Sequence, residues 1–360
     1  MKTLEVNRDE LSTTRVIETS AELSQGEVLA RIDHFSLTSN NVTYAVIGHM
    51  LGYWDFFPPA NPGWGRVPAF GYAEIEESRC DGIAVGTRIY GYFPMATHVV
   101  LEPGRITDQG LHDMASHRQP MSSFYNRYSF ADGDILHDPA RESQRMLLYP
   151  LFATAFVIDD FFARNDYFGA NVSIVSSASS KTAIGCAHNM GKRSGLDVVG
   201  LTSDRNLAFV ESLGCYDQVL TYDNLDDLAR SDESSRYVYT DMSGSGSLRQ
   251  AVHSSLGDSL AFSSAVGITD WDDMGAAAGE PPSGPTPEMF FAPTQISGTD
   301  SEGREELERR LVGAWGDYSA WTDSWLRIAD HQGTDALDDL WRGTLAGDVD
   351  PTIGNIVSLS

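Results

Sequence analysis

The chain has 360 residues, 41% of them hydrophobic and 10% aromatic, a composition typical of a folded globular protein with more than one domain. Its 51 acidic and 25 basic residues give a formal net charge of −26. A surface of this sign repels nucleic acids and anionic membranes, so we expect neither as a partner. The excess charge favours solubility, for example in a salty medium; steering of a cationic substrate is the alternative.

The three cysteines, Cys80, Cys186 and Cys215, are far apart and form no CxxC pair. This spacing argues against a disulfide framework and a structural zinc site, and it fits a reducing compartment. The first residues lack the apolar segment of a secretory signal. The sequence contains no run of about 18 apolar residues, so we predict no membrane span. We therefore expect a cytoplasmic protein.

Residues 1–148 are predicted to form a β-rich domain. Apolar residues at 28–32, 71–78 and 87–93 are typical of strands, and Gly, Pro and Asp bound them. The polar residues 104–145 predict a long excursion from this domain.

Residues 149–288 are predicted to form a nucleotide-binding domain with a parallel sheet. A helix over 151–162 precedes short apolar strands that alternate with helices. Strands and helices of these lengths imply right-handed crossovers and a doubly wound α/β fold. The predicted strands cover 172–176, 197–203, 218–222, 237–241 and 259–267, and the predicted helices cover 181–192 and 207–213.

Residues 289–360 are predicted to supply the last strand of the nucleotide-binding domain and then to return to the β-rich domain. A linker rich in Gly, Pro and Ala at 275–287 leads to an apolar patch at 289–296. A tryptophan-rich amphipathic helix is predicted from 305 to 328, and a closing strand from 355 to 359.

The loop after the first strand of the parallel sheet, residues 176–183, is rich in serine and contains no glycine. Dinucleotide-binding loops use glycines there so that backbone N–H groups approach a pyrophosphate, and the G-x-G-x-x-G pattern is absent. Small hydroxyls can still donate to phosphate, and Lys181 at the predicted helix start adds positive charge. The alternative is a solvated serine-rich turn with a surface lysine.

The end of the second strand carries residues that distinguish NADPH from NADH. An acid at this position binds the ribose hydroxyl of NAD, whereas Thr202, Ser203 and Arg205 offer donors for a 2′-phosphate. We therefore expect NADPH, with Tyr222 covering the adenosine phosphate. Two alternatives stay open: Asp204 is the ribose acid, or Thr202 and Ser203 cap the next helix.

The order of these segments resembles the medium-chain dehydrogenase/reductase superfamily, especially its zinc-independent quinone oxidoreductase and enoyl reductase branches. The nearest likeness is to a poorly characterised subgroup in which serines replace the glycine loop. Residues 171–222 resemble the core of the family's cofactor domain, and Leu213-Gly-Cys-Tyr-Asp-Gln-Val-Leu-Thr-Tyr222 resembles its third strand. The other matching segments are 30–41 (early strand and catalytic loop), 86–91 (glycine turn), 152–156 (threonine–alanine helix) and 354–359 (closing strand).

The resemblance implies a GroES-like catalytic domain beside a Rossmann-type cofactor domain, and hydride transfer with NADPH. By position it places Thr154 against the nicotinamide, with Val266 and Gly267 beside it from the fifth strand. Family members often form homodimers through the sixth strand, for which residues 289–296 are the candidate segment. The residues implied to hold the pyrophosphate or the 2′-phosphate are Ser177, Ser179, Ser180, Lys181, Thr182, Thr202, Ser203, Arg205 and Tyr222.

Zinc-dependent members carry a cysteine near position 40, where this chain has Asn40 and Asn41, so we expect no metal to polarise a carbonyl. The candidate catalytic residues are Asn41 and Tyr44, in a loop over 39–44, because zinc-free members use such side chains to polarise a carbonyl or donate a proton. The alternatives are that Asn41 completes the backbone bonds of a turn and that Tyr44 packs in the core.

Four aromatic residues, Tyr53, Trp54, Phe56 and Phe57, predict an apolar pocket wall, with interdomain packing as the alternative. Such a wall favours a small hydrophobic substrate. The sequence thus predicts a zinc-independent, NADPH-dependent reductase of an activated double bond, a quinone or a hydrophobic carbonyl. The alternatives are a protein that binds NADPH without turnover, as a sensor or scaffold, and a metal-free alcohol dehydrogenase.

Overall fold

The structure, a computed structural model, describes residues 1–230, 234–266, 283–290, 292, 295 and 301–359. The chain divides into two compact units. Unit 1 consists of Met1–Leu147 and Leu326–Ser360, and unit 2 consists of Leu148–Trp325.

Unit 1 is β-rich, and both ends of the chain contribute to it. Its helices are α1 (Ser39–Val46), α2 (Gly48–Leu51), α3 (Ser123–Asn126), the first residues of α4 (Glu142–Arg164) and α9 (Gly333–Leu345). Its strands are β1 (Lys2–Asn7), β2 (Thr14–Glu18), β3 (Val28–Leu37), β4 (Trp64–Gly65), β5 (Pro68–Ser78), β6 (Arg88–Pro94), β7 (His98–Leu101), β8 (Pro103–Thr107), β9 (Gly110–Asp113), β10 (Arg127–Phe130), β17 (Arg327–Gln332) and β18 (Ile353–Ser358).

Most of these strands form one large sheet, in the order β17-β18-β3-β5-β6-β10-β9-β8, with β7 also paired to β3. Strands β2, β1 and β4 form a smaller sheet. The core lies on β3, β5 and β6, where Ile32, Tyr72 and Tyr92 are fully buried. Aromatic and β-branched side chains of this kind pack well on the buried face of a pleated sheet.

The segment 104–145, predicted as an excursion, instead extends the large sheet. Strand β10 pairs antiparallel with β6, with Ser129 opposite Tyr90, and strands β9 and β8 follow. Each of these strands has only four or five residues. Alternation over so few residues is too short to distinguish a strand from a polar loop, which is why the prediction was wrong.

Unit 2 is the parallel α/β unit. Its helices are the rest of α4, α5 (Lys181–Met190), α6 (Leu207–Ser212), α7 (Gly246–Leu256) and α8 (Ser301–Trp321). Its strands are β11 (Val172–Val175), β12 (Asp197–Thr202), β13 (Gln218–Thr221), β14 (Tyr237–Asp241), β15 (Leu260–Ala265) and β16 (Glu288–Met289). The sheet has the order β13-β12-β11-β14-β15-β16, with parallel neighbours throughout.

This strand order is that of a doubly wound nucleotide-binding sheet, whose switch point lies between β11 and β14. The predicted fold class, a Rossmann-type parallel sheet with a β-rich second domain, is therefore confirmed. Helix α8 ends at Trp321 rather than near 328, because residues 327–332 form strand β17 in unit 1.

Helix α4 carries the most apolar stretch of the chain. Among the described residues, the segment Pro139–Arg164 is long and apolar enough to cross a membrane, but 67% of its most apolar window is buried within the protein. Ala155, Ile158 and Phe162 on this helix pack in the core of unit 2. A buried helix of this composition is what the core of an α/β unit requires.

One histidine of unit 2, His188, has a lowered pKa. The ring of His188 on α5 lies 4.6 Å from the Trp321 ring and 5.3 Å from the Tyr318 ring, measured between centroids. Its Nε2 atom is buried and has no hydrogen-bond partner among the described residues. Burial, and then the charge of Lys192, lower the pKa of His188 to about 4; Asp317 opposes this effect.

We expect the protein to lose about 1 kcal/mol of unfolding free energy between pH 7 and pH 5 through this residue, because its ring is partly open to solvent, which weakens the effect of burial. The unfolded chain binds the proton near pH 6.5 and the folded chain only near its lower pKa, so stability falls as pH drops between the two. Urea unfolding of the parent and of His188→Phe at both pH values measures the effect. A variant that is as acid-sensitive as the parent would rule His188 out as the cause.

Candidate functional site

The carboxyl edge of the unit 2 sheet is where a doubly wound fold binds its ligand. Strands β11, β12 and β14 end there at Val175, Thr202 and Asp241. The loop after β11 leads into α5, and the loop after β14 leads into α7, so the N-termini of both helices lie at this edge. Backbone N–H groups at helix N-termini favour anions.

The serine loop after β11 adopts a tight turn without glycine. Ser177 has a backbone φ of +48°, the left-handed region that glycine usually occupies. An L-residue there costs about 1 kcal/mol, so the loop holds a modest strain. The N–H of Ser180 donates to the Ser177 carbonyl at 2.7 Å, and the Ser180 hydroxyl accepts from the Ala183 N–H at 3.3 Å. Ser180 is thus the N-cap of α5.

The glycine that allows close packing here lies on the neighbouring strand instead of in the loop. The N–H of Ala178 donates to the Leu201 carbonyl at 2.9 Å, which holds the loop against β12. A Cβ on Gly200 would lie 3.0 Å from the Ala178 Cβ and 2.9 Å from the Tyr216 ring. The loop can therefore carry side chains because β12 lacks one at position 200.

The end of β12 presents the predicted phosphate-binding residues. The hydroxyl of Thr202 is buried, 1% exposed as a residue, and has no hydrogen-bond partner among the described residues. Ser203 lies at the N-cap position of the short turn Asp204–Asn206, but its side chain makes no capping bond. The Asn206 amide donates to the Ser179 hydroxyl at 3.0 Å and so joins this turn to the serine loop. Arg205 and Asp204 are exposed.

The remaining predicted cofactor residues lie around the same sheet. Lys181 and Thr182 are half-buried in the first turn of α5, and Tyr222 directly follows β13. In α4, the Thr154 hydroxyl donates to the Pro150 carbonyl at 3.1 Å. The Val266 N–H donates to the Asp241 carbonyl at 2.9 Å, which continues the pairing of β14 and β15. Gly267 lies outside the described residues.

The predicted catalytic loop over 39–44 is a helix, α1. Thr38 precedes it, and the Asn41 Oδ1 accepts from the Thr38 N–H at 2.7 Å, as in a capping box. The Asn41 Nδ2 donates to the Pro68 carbonyl at 2.9 Å, and the residue is only 4% exposed. These bonds favour a structural role for Asn41, the alternative left open by the sequence.

Tyr44 lies on the same helix with its hydroxyl held by a neighbour. The Asn40 Nδ2 donates to the Tyr44 Oη at 2.6 Å, and Tyr44 is 6% exposed. Burial, and then the proximity of Tyr53, raise the pKa of Tyr44 far above its usual value. Tyr44 therefore keeps its proton at neutral pH.

Tyr44 belongs to a group of four tyrosines, here called the tyrosine cluster: Tyr44, Tyr53, Tyr92 and Tyr125. The rings of Tyr44 and Tyr53 are 4.4 Å apart, and those of Tyr92 and Tyr125 are 4.7 Å apart. The Tyr53 and Tyr125 hydroxyls lie 3.2 Å from each other. The cluster thus concentrates phenol hydroxyls among packed aromatic rings of unit 1.

Phenylalanines surround the cluster. Phe56 and Phe70 lie 5.3 and 4.9 Å from the Tyr92 ring, and Phe124, which is 44% exposed, lies 5.3 Å from the Tyr125 ring. The predicted wall residues Tyr53, Trp54, Phe56 and Phe57 are all buried in unit 1. The sequence missed Tyr92 and Tyr125 because they lie far from Tyr44 along the chain, and Tyr125 falls in the supposed excursion.

Another group that the sequence missed surrounds Asp241, which is 0% exposed. Its carboxylate accepts hydrogen bonds from Ser176, Ser243 and Arg249. The only signal for it was an acid at the end of a predicted strand, followed by a run of Ser and Gly.

Within the described ranges, no group of three or more His, Cys, Asp or Glu side chains is arranged to hold a metal ion.

Solved structures share this fold over the full chain. CurA from Vibrio vulnificus in complex with NADPH is 14% identical, with a TM-score of 0.64, and covers 100% of this chain and 99% of its own. The CurK enoyl reductase is 13% identical, with a TM-score of 0.55 and the same coverage. Glucose dehydrogenase from Haloferax mediterranei is 12% identical, with a TM-score of 0.56 and the same coverage. At these identities, the likeness shows the fold alone, a Rossmann-type parallel sheet with a β-rich second unit.

Sequence comparison gives a narrower assignment. No curated protein matches the chain. Residues 35–350, which include most of unit 1 and all of unit 2, match the family described as "Protein of unknown function (DUF2855)". The match covers well over half of the sequence, and the chain therefore belongs to the DUF2855 family.

Proposed function

We propose that the chain is a zinc-independent, NADPH-dependent oxidoreductase that reduces an activated double bond, a quinone or a hydrophobic carbonyl by hydride transfer. The observation that carries this proposal is the set of hydroxyl and guanidinium groups at the carboxyl edge of the unit 2 sheet, after β11 and β12. A solved structure of the same fold, that of CurA, is a complex with NADPH.

The residues at this edge fit the nucleotide. A buried hydroxyl that has no partner, as at Thr202 among the described residues, costs about 1–3 kcal/mol, and a ligand atom that bonds to it removes that cost. Arg205 is exposed and carries the planar fork that matches a phosphate. The capping bond of Ser180 orders the first turn of α5 before any ligand binds, and an ordered helix N-terminus suits a pyrophosphate.

When bound, NADPH supplies the hydride. In this proposal, Ser177, Ser179, Ser180, Lys181 and Thr182 hold the pyrophosphate, and Thr202, Ser203, Arg205 and Tyr222 hold the 2′-phosphate end. Thr154 and Val266 lie along the nicotinamide. Tyr44 donates the proton from its Oη to the substrate, and Asn40 orients that hydroxyl. Tyr44 is protonated at neutral pH, so the proton is on its Oη before the substrate binds.

The substrate class follows from the rings around Tyr44. The tyrosine cluster and its phenylalanines offer flat apolar surface with a few hydroxyl donors, which favours a small conjugated carbonyl or quinone over a sugar.

We further propose that the protein acts in the cytoplasm, without nucleic acid or membrane partners, and that it forms a homodimer.

Calorimetric titration with NADPH, and separately with NADH, tests the cofactor assignment. We expect the parent to prefer NADPH, and Arg205→Ala to weaken NADPH binding more than about tenfold, or roughly 1.4 kcal/mol, because it loses the partner of the 2′-phosphate. NADH binding should change little in the same variant.

The matched control is Arg236→Ala. Arg236 is also exposed, but it precedes β14 and so lies at the opposite, amino edge of the sheet. Both variants change the net charge equally, so only a local contact distinguishes them. Equal NADPH affinity in the two variants would contradict the proposed role of Arg205, and a parent protein that binds neither nucleotide would overturn the proposed function.

One observation favours a second candidate, a protein that binds NADPH without turnover. The side chain of Asn41 is bonded to the backbone through both its oxygen and its nitrogen, so the predicted catalytic pair is reduced to Tyr44. NADPH oxidation with a panel of quinones and enones separates the two candidates. Turnover with any acceptor excludes this second candidate, and tight NADPH binding without turnover supports it.

A further inference from the structure

A buried hydrogen-bonded network joins the two loops at the switch point of the parallel sheet. We call it the clasp; its members are Ser176, Asp241, Ser243 and Arg249. The Asp241 Oδ1 accepts from the Ser176 hydroxyl at 3.0 Å, the Ser243 hydroxyl at 2.7 Å and the backbone N–H groups of Ser243 and Gly244 at 3.0 and 3.1 Å. The Asp241 Oδ2 accepts from the Arg249 Nε at 2.8 Å.

Ser176 is the member that spans the two strands. It is the first residue after β11, and its hydroxyl donates to Asp241 at the end of β14. The same hydroxyl accepts from the backbone N–H groups of Met242 and Ser243 at 2.9 and 3.2 Å. A glycine at position 176 would remove all three bonds, and buried groups left without partners are costly.

The charge of Asp241 also has to be cancelled, because a buried carboxylate near a phosphate would repel it. Arg249 supplies the opposite charge, with its Nη2 2.7 Å from the Asp241 Oδ2. Arg249 lies in the first turns of α7, the helix that follows the second loop. The clasp therefore fixes where both loops lie and leaves no net charge of its own.

We propose that the clasp is a positioning device: Ser176 fastens the serine loop to the loop after β14, so that the edge is already shaped for the diphosphate of NADPH. This inference rests on the proposed function. It assigns to a serine hydroxyl the task of ordering a loop that lacks glycine. Preorganisation of this kind raises affinity because less of the loop has to be ordered on binding.

Two substitutions at position 176 test the proposal against a matched control. Ser176→Ala removes the hydroxyl, and Ser176→Gly restores the residue type of a glycine loop. Ser173→Ala is the control, because Ser173 is a fully buried serine on β11 whose hydroxyl bonds only to the Met190 sulfur, at 3.3 Å, within the described part of the chain. NADPH affinity is measured by calorimetry, and the melting temperature is measured without nucleotide.

We expect both Ser176 variants to bind NADPH at least tenfold more weakly than the parent, and Ser173→Ala to bind like the parent. A merely structural role of Ser176 would lower the melting temperature of both Ser176 variants and leave their NADPH affinity unchanged. Ser243→Ala removes the side-chain bond to Asp241 and the bond from the Ser245 N–H but leaves Ser176 bonded to Asp241. It should give an intermediate loss of NADPH affinity, which keeps the test usable should a Ser176 variant fail to fold.

The outcomes separate the two proposals. If the parent binds NADPH and the Ser176 variants bind it equally well, the positioning role of the clasp is overturned and the proposed function stays intact. A parent that does not bind NADPH overturns the proposed function, and the clasp with it.

Discussion

Replacing Tyr44 by phenylalanine is expected to lower NADPH-dependent turnover by about 10²–10⁴-fold, the usual contribution of a general acid, while NADPH affinity stays unchanged. The substitution removes only the hydroxyl that Asn40 holds at 2.6 Å and keeps the ring that packs on Tyr53. Because burial raises the Tyr44 pKa far above neutrality, the parental rate should not fall through loss of this proton near neutral pH. Steady-state oxidation of NADPH by a quinone or enone that the parent reduces measures the loss.

Tyr53→Phe is the control for this variant. It removes a second buried hydroxyl from the same cluster, one that contacts Tyr125 at 3.2 Å and not the Asn40 amide. We expect it to retain most of the parental turnover. Equal rates for Tyr44→Phe and the parent would remove Tyr44 from the mechanism, and equal losses in both variants would assign the effect to packing of the cluster.

The parallel sheet was predictable because its strands are short apolar runs separated by amphipathic helices. The run from Val172 to Val175 is buried on both faces, so it contains no polar alternation that could be mistaken for an edge strand. The crossover rule then leaves few topologies for such units. The location of the hydroxyl-rich loops was predictable for the same reason. Residues that directly follow a parallel strand lie at the carboxyl edge of the sheet, where ligands bind, so a correct strand assignment also locates its loop.

The features that the sequence did not predict depend on hydrogen bonds and packing between residues that lie far apart in the chain. Residues 39–44 consist largely of turn-forming types, and they form a helix because Asn41 bonds to Thr38 and Pro68 while Val42 and Tyr44 are buried. The clasp joins Ser176 to Asp241, 65 residues away. No local pattern encodes such a pair, so sequence reasoning found the loops and missed what holds them together.

The same argument applies to Arg118, which the sequence placed in a polar excursion and the structure buries completely. Arg118 is 0% exposed, and its Nη1 lies 3.3 Å from the carboxylate of Asp113, which is 3% exposed. Its Nε donates to the Asn126 Oδ1 at 2.9 Å, and its Nη2 donates to the Tyr125 carbonyl at 2.6 Å. This one side chain therefore anchors the segment that carries Tyr125 into the tyrosine cluster.

We expect Arg118→Met to lower the free energy of unfolding by about 3–5 kcal/mol, because it leaves the Asp113 carboxylate buried without its counter-charge. Urea unfolding measures the loss. Arg127→Met is the control: Arg127 is exposed on β10 of the same sheet, and its replacement should cost no more than about 0.5 kcal/mol. Adding Asp113→Asn to Arg118→Met should recover part of the loss, since the amide oxygen still accepts from the Glu102 and Ala115 N–H groups without carrying charge. A double variant less stable than Arg118→Met alone would show that the lost hydrogen bonds to Asn126 and Tyr125, and not the unpaired carboxylate, account for the cost.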